Sequence, residues 1–293
     1  MSTYSCNQSL ANTGSPGCSE NLNGIKGFVW TPRGFAFDAE SKFQTLADWI
    51  AAIEQVDGRI YVFPEFLEVE AQDEETQYQT FNSGKRLKVR EGKPGFRGTM
   101  DIPTCVLKNL RTFNQQKGRI FPFYESGVIL GTSPDGEAIK GLDINLLEVE
   151  KLPMTDNNTR SLAKVMVILN DATEMNDNVV SYKPTTWSFD DLFGLQNVAL
   201  TTSSPTTSAV TVSAVEECTG DAVLGLTETT DWIILDDESS AVSVTEVTDN
   251  GSGSYTLAAT LTAGDYTVTL AAPTTLGVDG YESAGAVSFT TSA

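Results

Sequence analysis

Residues 139–171 read IKGLDINLLEVEKL, then PMTDNNT, then RSLAKVMVILND, and the alternation here predicts two long β-strands joined by a polar turn. On the first strand Leu142, Ile144 and Leu146 share one face, with Asp143 and Asn145 on the other. After Leu146 the phase slips, because Leu147 and Val149 now carry the apolar positions. A slip of one residue turns a strand inside out, so a β-bulge or bend is expected near Leu146 and Leu147. The second strand is apolar on both faces, with Val165, Val167 and Leu169 on one and Met166 and Ile168 on the other. Two accounts fit such a strand. Either it is buried in the centre of its own domain, or one face is completed by another subunit.

Upstream, residues 1 to about 24 are polar with a turn at Gly14-Ser15-Pro16-Gly17, which predicts an extended arm or loop. A first strand is expected over Gly24–Pro32. Phe43, Leu46, Ala47, Ile50 and Ile53 then recur at helical spacing, with Asp38 or Ser41 to cap the start and Gly58 to stop the helix. RIYVFP (59–64) reads as a strand. Six acids follow between Glu65 and Glu75, including Glu68 and Glu70, and six bases lie between Lys85 and Arg97, including Lys88 and Arg90. The basic set alternates with Leu87 and Val89, which puts it on one face of a strand. That face is a solvated surface, a nucleic-acid footprint, or one half of a head-to-tail pairing between identical subunits with opposite patches. A second helix is expected from Pro103 to Asn114 with Val106, Leu107, Leu110 and Phe113 buried. Two strands about a turn at Glu125-Ser126-Gly127 precede the closing hairpin. GTSPDG (131–136) lacks the Gly-Lys-Ser/Thr of a phosphate loop.

Downstream, SYKPTTWSFDDLFG (181–194) is expected to pack on the first domain through Trp187, Phe189, Leu192 and Phe193. From Gln196 the texture changes to Thr, Ser, Val and Ala, with 13 acids and no Lys or Arg to the end of the 293-residue chain. The net charge of −20 is therefore concentrated there, and this break divides the sequence into a domain over 1–195 and another over 196–293. Seven short alternating strands in the second predict an immunoglobulin-like sandwich. Trp232 and Tyr255 are expected in its core, Tyr266 at a tyrosine corner, and Asn250-Gly251 with Gly253 at a hairpin turn. The acids Asp236, Asp237 and Glu238 lack the spacing of a calcium loop.

Composition excludes several functions. The chain has no histidine, so it holds no Ser-His-Asp triad, Cys-His dyad or histidine-ligated metal. No carboxylate or lysine motif takes their place, and the expectation is a non-enzyme without cofactor or metal. Cys6, Cys18, Cys105 and Cys218 match no zinc or disulfide-scaffold spacing. Unpaired thiols are expected, with a Cys6–Cys18 bond the alternative in oxidising surroundings. No membrane span and no secretory signal is read, so synthesis in a cytoplasm is expected.

The order of the first domain is strand, helix, strand, charged loop, basic strand, helix, hairpin and long closing hairpin. Followed by an immunoglobulin-like module, it resembles the major tail (tube) proteins of long-tailed bacteriophages. The closing hairpin (GLDINLLEVEKL returning to SLAKVMVILND) carries most of the likeness, with KRLKVREGKPGFRGTMDI and GRIFPFYESGVILGTSPDG. The resemblance implies a mainly β fold: a small tail-tube-like barrel or sandwich flanked by one or two helices, then the immunoglobulin-like sandwich. It further implies six-membered rings stacked into a virion tail tube that conducts double-stranded DNA without binding it specifically. Partners would be other copies and the tape-measure, terminator and tail-tip proteins, with no membrane. The expected inter-subunit residues are Leu146, Leu147, Val165, Met166, Val167 and Ile168, with Lys88 and Arg90 facing Glu68 and Glu70. The alternative is a head-decoration or tail-tip, receptor-contacting protein of a phage.

Overall fold

The computed structural model describes residues 22–154, 160–171 and 173–292. The predicted N-terminal arm ahead of Leu22, and the Thr155–Thr159 part of the predicted turn, lie outside the described residues. The chain is mainly β and divides into two compact units, Met1–Ile53 with Asp57–Leu192, and Glu54–Val56 with Phe193–Ala293.

Among the described residues, eleven strands lie in the first unit: β1 (Ile25–Pro32), β2 (Tyr61–Val62), β3 (Glu68–Ala71), β4 (Gln77–Thr80), β5 (Arg86–Arg90), β6 (Gly95–Met100), β7 (Gly118–Tyr124), β8 (Ile129–Thr132), β9 (Leu142–Val149), β10 (Ala163–Leu169) and β11 (Val179–Tyr182). Nine of them form one sheet, in the order β11-β8-β7-β9-β10-β6-β3 with β1 on β7 and β2 on β1. The sheet curls round as a barrel would. Phe66 N–H donates to Lys26 O of β1 at 2.8 Å while the next residue, Leu67, donates to Thr99 O of β6 at 2.8 Å. One short segment thus bridges the two ends of the path β1-β7-β9-β10-β6.

Inside lie Phe28, Phe63, Phe96, Met100, Ile120 and the inward side chains of β9 and β10. Phe28 and Phe63 stack with centroids 4.3 Å apart. The expected second helix is α3 (Thr104–Leu110) followed by a 3-10 turn over Arg111–Phe113, and it inserts Leu107 and Leu110 into the same core. The expected first helix is two pieces, α1 (Glu40–Gln44) and α2 (Leu46–Glu54), separated by Thr45 in extended conformation. Together they seat Phe43 and Trp49 against Phe121, with ring centroids 5.6 and 5.1 Å away. The Trp49 indole N–H donates to Phe43 O at 2.8 Å, so the break between the helices leaves no buried donor orphaned there. Trp187, Phe189 and Leu192 of the docking segment are buried as expected, and Trp187 Nε1–H donates to Gln44 O at 3.0 Å. Phe193 departs from the expectation, being 37% exposed and the first residue of the long segment of the second unit.

The second unit is a two-sheet sandwich. Its strands are β12 (Gln196–Ser203), β13 (Ala209–Glu216), β14 (Trp232–Asp236), β15 (Ala241–Val242), β16 (Val244–Gly251), β17 (Ser254–Ala259), β18 (Gly264–Leu270), β19 (Tyr281–Ser283) and β20 (Val287–Thr291). One sheet runs β16-β17-β13-β12-β19 and the other β15-β14-β18-β20. Alternation fills the space between them. Val210, Val212 and Ala214 of β13 meet Trp232, Ile234 and Val268 of the facing sheet, all buried. Trp232 and Tyr255 lie 5.4 Å apart in this core. Tyr266 closes a tyrosine corner: its Oη accepts from Thr262 N–H at 2.9 Å and donates to Thr262 O at 3.2 Å. The β16–β17 turn is made by Ser252 and the expected Gly253, the two residues past the Asn250-Gly251 step, with φ values of +54° and +73°. Asp249 accepts from Gly251 N–H at 2.7 Å across a bulge, which takes Gly251 into the strand end and hands the turn to its successors.

Candidate assembly surfaces

The closing hairpin is β9 and β10, antiparallel, with Val165 opposite Val149 and Ile168 opposite Leu146. Its phase slip is a bulge. Ile168 pairs with Leu146 but Leu169 pairs with Ile144, which leaves Asn145 as an extra residue. Leu142 and Ile144 before it, and Leu147 and Val149 after it, then all face the core. The predicted bend is thus one residue closer to the start of the strand than the Leu146–Leu147 step.

On β10, Val165, Val167 and Leu169 are buried in the same core. The opposite face of β9, β10 and β6 carries Leu146, Met166 and Ile168, each only half-buried. Ile168 lies between Leu146 and Gly95, and Met166 between Glu148 and Arg97. Polar groups frame this patch. Arg97 binds Glu150 at 2.6 Å, and Arg97 also pairs across the ladder with Glu70.

The six expected inter-subunit residues therefore separate into two sets. Leu147, Val165 and Val167 have no exposed surface, because the strand period turns them inward; as side chains they cannot meet another subunit. Leu146, Met166 and Ile168 lie together on the open side.

Base-side anchoring of this hairpin is polar. Asp143, buried, accepts from Arg33 Nε and Nη2 at 3.1 and 3.0 Å and from Asn170 Nδ2 at 2.9 Å. Glu174, on the short helix α4 (Thr173–Asn176), accepts from Asp143 N–H at 2.6 Å and from Arg119 Nη1 at 3.1 Å. Every carboxylate of the cluster has partners, so it is a fixed brace with nothing spare for a ligand.

The second surface is one that sequence reasoning did not assemble. β3 pairs with β6 and β4 with β5, and between the two ladders Gln72 N–H donates to Gly95 O and Glu74 N–H to Lys93 O, both at 2.9 Å. Residues 68–100 are therefore one continuous hairpin. Its outer part, from Gln72 to a tip at Asn82-Ser83-Gly84, extends about 35 Å at the rise of a β-strand. Apart from half-buried Thr76, every residue from Glu70 to Glu91 is exposed.

The ladder assigns its faces. Gln79 pairs with Leu87 and Phe81 N–H donates to Lys85 O at 2.9 Å, so Phe81, Lys85, Leu87 and, beside the bulge, Val89 share one side. Tyr78, Arg86 and Lys88 share the other. Val89 is 63% and Leu87 48% exposed. The turn chemistry was available in the sequence, since Asn-Ser-Gly stands between two alternating runs; Gly84 takes φ +78°, as a three-residue hairpin loop requires.

This ribbon also holds the charges expected to pair between subunits. Glu68 and Glu70 lie on β3 opposite Thr99 and Arg97. Arg90 binds Glu74 at 2.7 Å, and Lys88 binds Glu91 at 2.7 Å. The Glu91 hydrogen bond is the main cause that holds the Lys88 ammonium above its ordinary pKa. Acids and bases thus share one ribbon, and both named bases have partners within the chain. Lys85 and Arg86 at the tip make no ion pair among the described residues.

The cysteines depart from expectation. Cys105, on the first turn of α3, and Cys218, after β13, are both disulfide-bonded, since spacing along a chain does not report proximity in space. The Asp236 carboxylate accepts from Glu238 and Ser240 N–H at 3.1 and 2.7 Å, which makes it a turn cap. No group of three metal-ligating side chains occurs among the described residues, and no helix there is long and apolar enough to cross a membrane.

No family model matches the chain, and no curated protein matches it. Among solved structures, the filamin domain of Lin-41 is similar at 19% identity, over 33% of this chain and 93% of that one, with a TM-score of 0.23.

Proposed function

We propose that this chain is a virion structural protein whose copies join into rings that stack as the tail tube of a long-tailed phage, the conduit for genome delivery. It acts by assembly and lines a channel; no step of chemistry is assigned to it. The observation that carries the reading is the open face of the closing hairpin. Leu146, Met166 and Ile168 lie half-covered on a sheet whose other face is a finished core. A sheet face of this composition is completed by another surface more favourably than by water. The resemblance of the closing hairpin to that of tube proteins favours the same sheet of the next copy as that surface. Other tail proteins would meet the ends of such a tube.

Negative-stain microscopy of the purified full chain tests the reading. Rings or tubes are expected as concentration rises. A species that stays monomeric or trimeric at high concentration would refute it.

A further inference from the structure

The geometry points to a second contact between copies: the outer ribbon of one chain docks on the β14–β18 face of the second unit in another. One side of the ribbon carries Phe81, Leu87 and Val89, with Lys85 at its tip. An isolated two-stranded ribbon is marginal in water, and this one presents apolar side chains along a free edge, where native sheets are normally covered or blunted. From Gln72 to Lys93 it holds five bases against four acids, and all five bases lie on the returning side, in a chain of net charge −20. Lys88 and Arg90 are paired with Glu91 and Glu74, which leaves Lys85 and Arg86 at the tip as the open charges.

The acceptor matches in polarity and sign. β14 and β18 pair Ile233 with Thr269 and Leu235 with Thr267, and these four side chains face away from the buried Trp232, Ile234 and Val268. Ile233 is exposed and Leu235 half-buried. Just past the Asp236–Tyr266 pair come Asp265, on β18 and hydrogen-bonded by Thr290 Oγ1 at 2.6 Å, and Asp237 with Glu238 in the turn after β14, all three exposed. No Lys or Arg exists in this unit to neutralise them. An apolar pair running into uncompensated acids is the complement of an apolar strip running into Lys85. Because the exposed charges act within a screening length of about 8 Å at physiological salt, the contact is salt-sensitive. It needs a second copy but no particular ring or tube, so it stands apart from the tube reading.

The test uses the full chain in three forms: Lys85→Glu, Asp237→Lys, and both together. Neither side chain has a partner among the hydrogen bonds or ion pairs described above, so each single variant is expected to fold with unchanged circular dichroism. By sedimentation, each single variant should self-associate about tenfold more weakly at low salt, as loss of a close charge pair requires. The double variant should recover. Val89→Lys should weaken association in the same assay. As a direct measure, carbodiimide joins contacting amines and carboxylates. In a mixture of light and heavy isotope-labelled copies it should link Lys85 of one to Asp237, Glu238 or Asp265 of the other. Association unaltered by either single change, no recovery in the double variant, or no such inter-copy link would overturn the docking. Microscopy separates the two ideas: rings from Lys85→Glu with unchanged association leave the tube reading intact and remove this one. Salt-sensitive Lys85-dependent pairs without rings do the reverse.

Discussion

Arg33 and Asp143 are joined through both guanidinium N–H groups, at 3.1 and 3.0 Å, on a carboxylate that is 8% exposed. The pair ties the loop after β1 to the first residues of β9, and Asn170 ties the end of β10 to the same carboxylate. Arg33→Ala leaves that buried carboxylate with one side-chain donor, Asn170. Loss of about 2 kcal/mol is expected, because stranding one partner of a buried pair costs more than the pair contributes net. Urea unfolding followed by tryptophan fluorescence measures it, and an unshifted first-unit transition would show that the brace is dispensable.

Tyr266→Phe removes the two hydrogen bonds that link its hydroxyl to the Thr262 backbone while keeping the ring against Phe289, 5.5 Å away. About 1 to 2 kcal/mol of destabilisation is expected. Calorimetry should show the loss only in the second unit. An equal shift in both units would mean that they do not unfold separately.

Gly253→Ala should cost more than its size suggests. Its φ is +73°, and an added Cβ would lie 2.6 Å from Ala214 O, so strain and a backbone clash coincide. Loss of about 2 kcal/mol is expected from these effects together. Ser252→Gly, at φ +54°, should by contrast be neutral or slightly stabilising in the same denaturation assay.

Asp135 gives a pH test. It accepts from Glu137 and Ala138 N–H, both at 3.2 Å, and these bonds hold its carboxyl below the ordinary value, with Lys140 adding to the effect against slight desolvation. A lowered folded-state pKa means that the contribution is fully present above the unfolded pKa, near 3.8, and is lost as pH falls through the folded value. Asp135→Asn should therefore reduce stability at pH 6, and the deficit should shrink progressively as pH falls below 3.8. A deficit that persisted at low pH would assign the effect to side-chain shape.

Leu146→Ser with Ile168→Ser tests the open face. Both side chains are half-buried and outside the core, so monomer stability should change by under about 1 kcal/mol, while ring or tube assembly is expected to fail in microscopy. Intact assembly would separate this face from the interface.

Strand alternation made the core faces legible, and the Asn145 bulge announced itself because apolar residues changed parity at Leu147. Most of the second unit was readable, down to Tyr266, since inward positions are apolar and outward ones, Ile233 and Leu235 apart, are mostly small or polar; short β19 and the break between β15 and β16 were not read. The ribbon was not. Its basic strand showed through Leu87 and Val89, but Glu68 to Lys93 has no fully buried position, so nothing marked its acidic half as a strand and that charged run reads as a loop. Nor was the division of the closing hairpin into covered and open sides legible: apolarity on both faces says that both want burial, but not that the chain supplies only one.

Asn145 has a separate meaning for the wall it sits in. If it were absent, Ile144 and Leu146 would follow one another in plain alternation, with Leu147 and Val149 still inward. The extra residue therefore does not decide which side chains reach the core. It bends and twists β9 where the strand passes from pairing with β7 at Leu142 and Asp143 to pairing with β10. Curvature and packing are thus written by different residues, and the radius of the wall can change by one deletion without redesigning its interior.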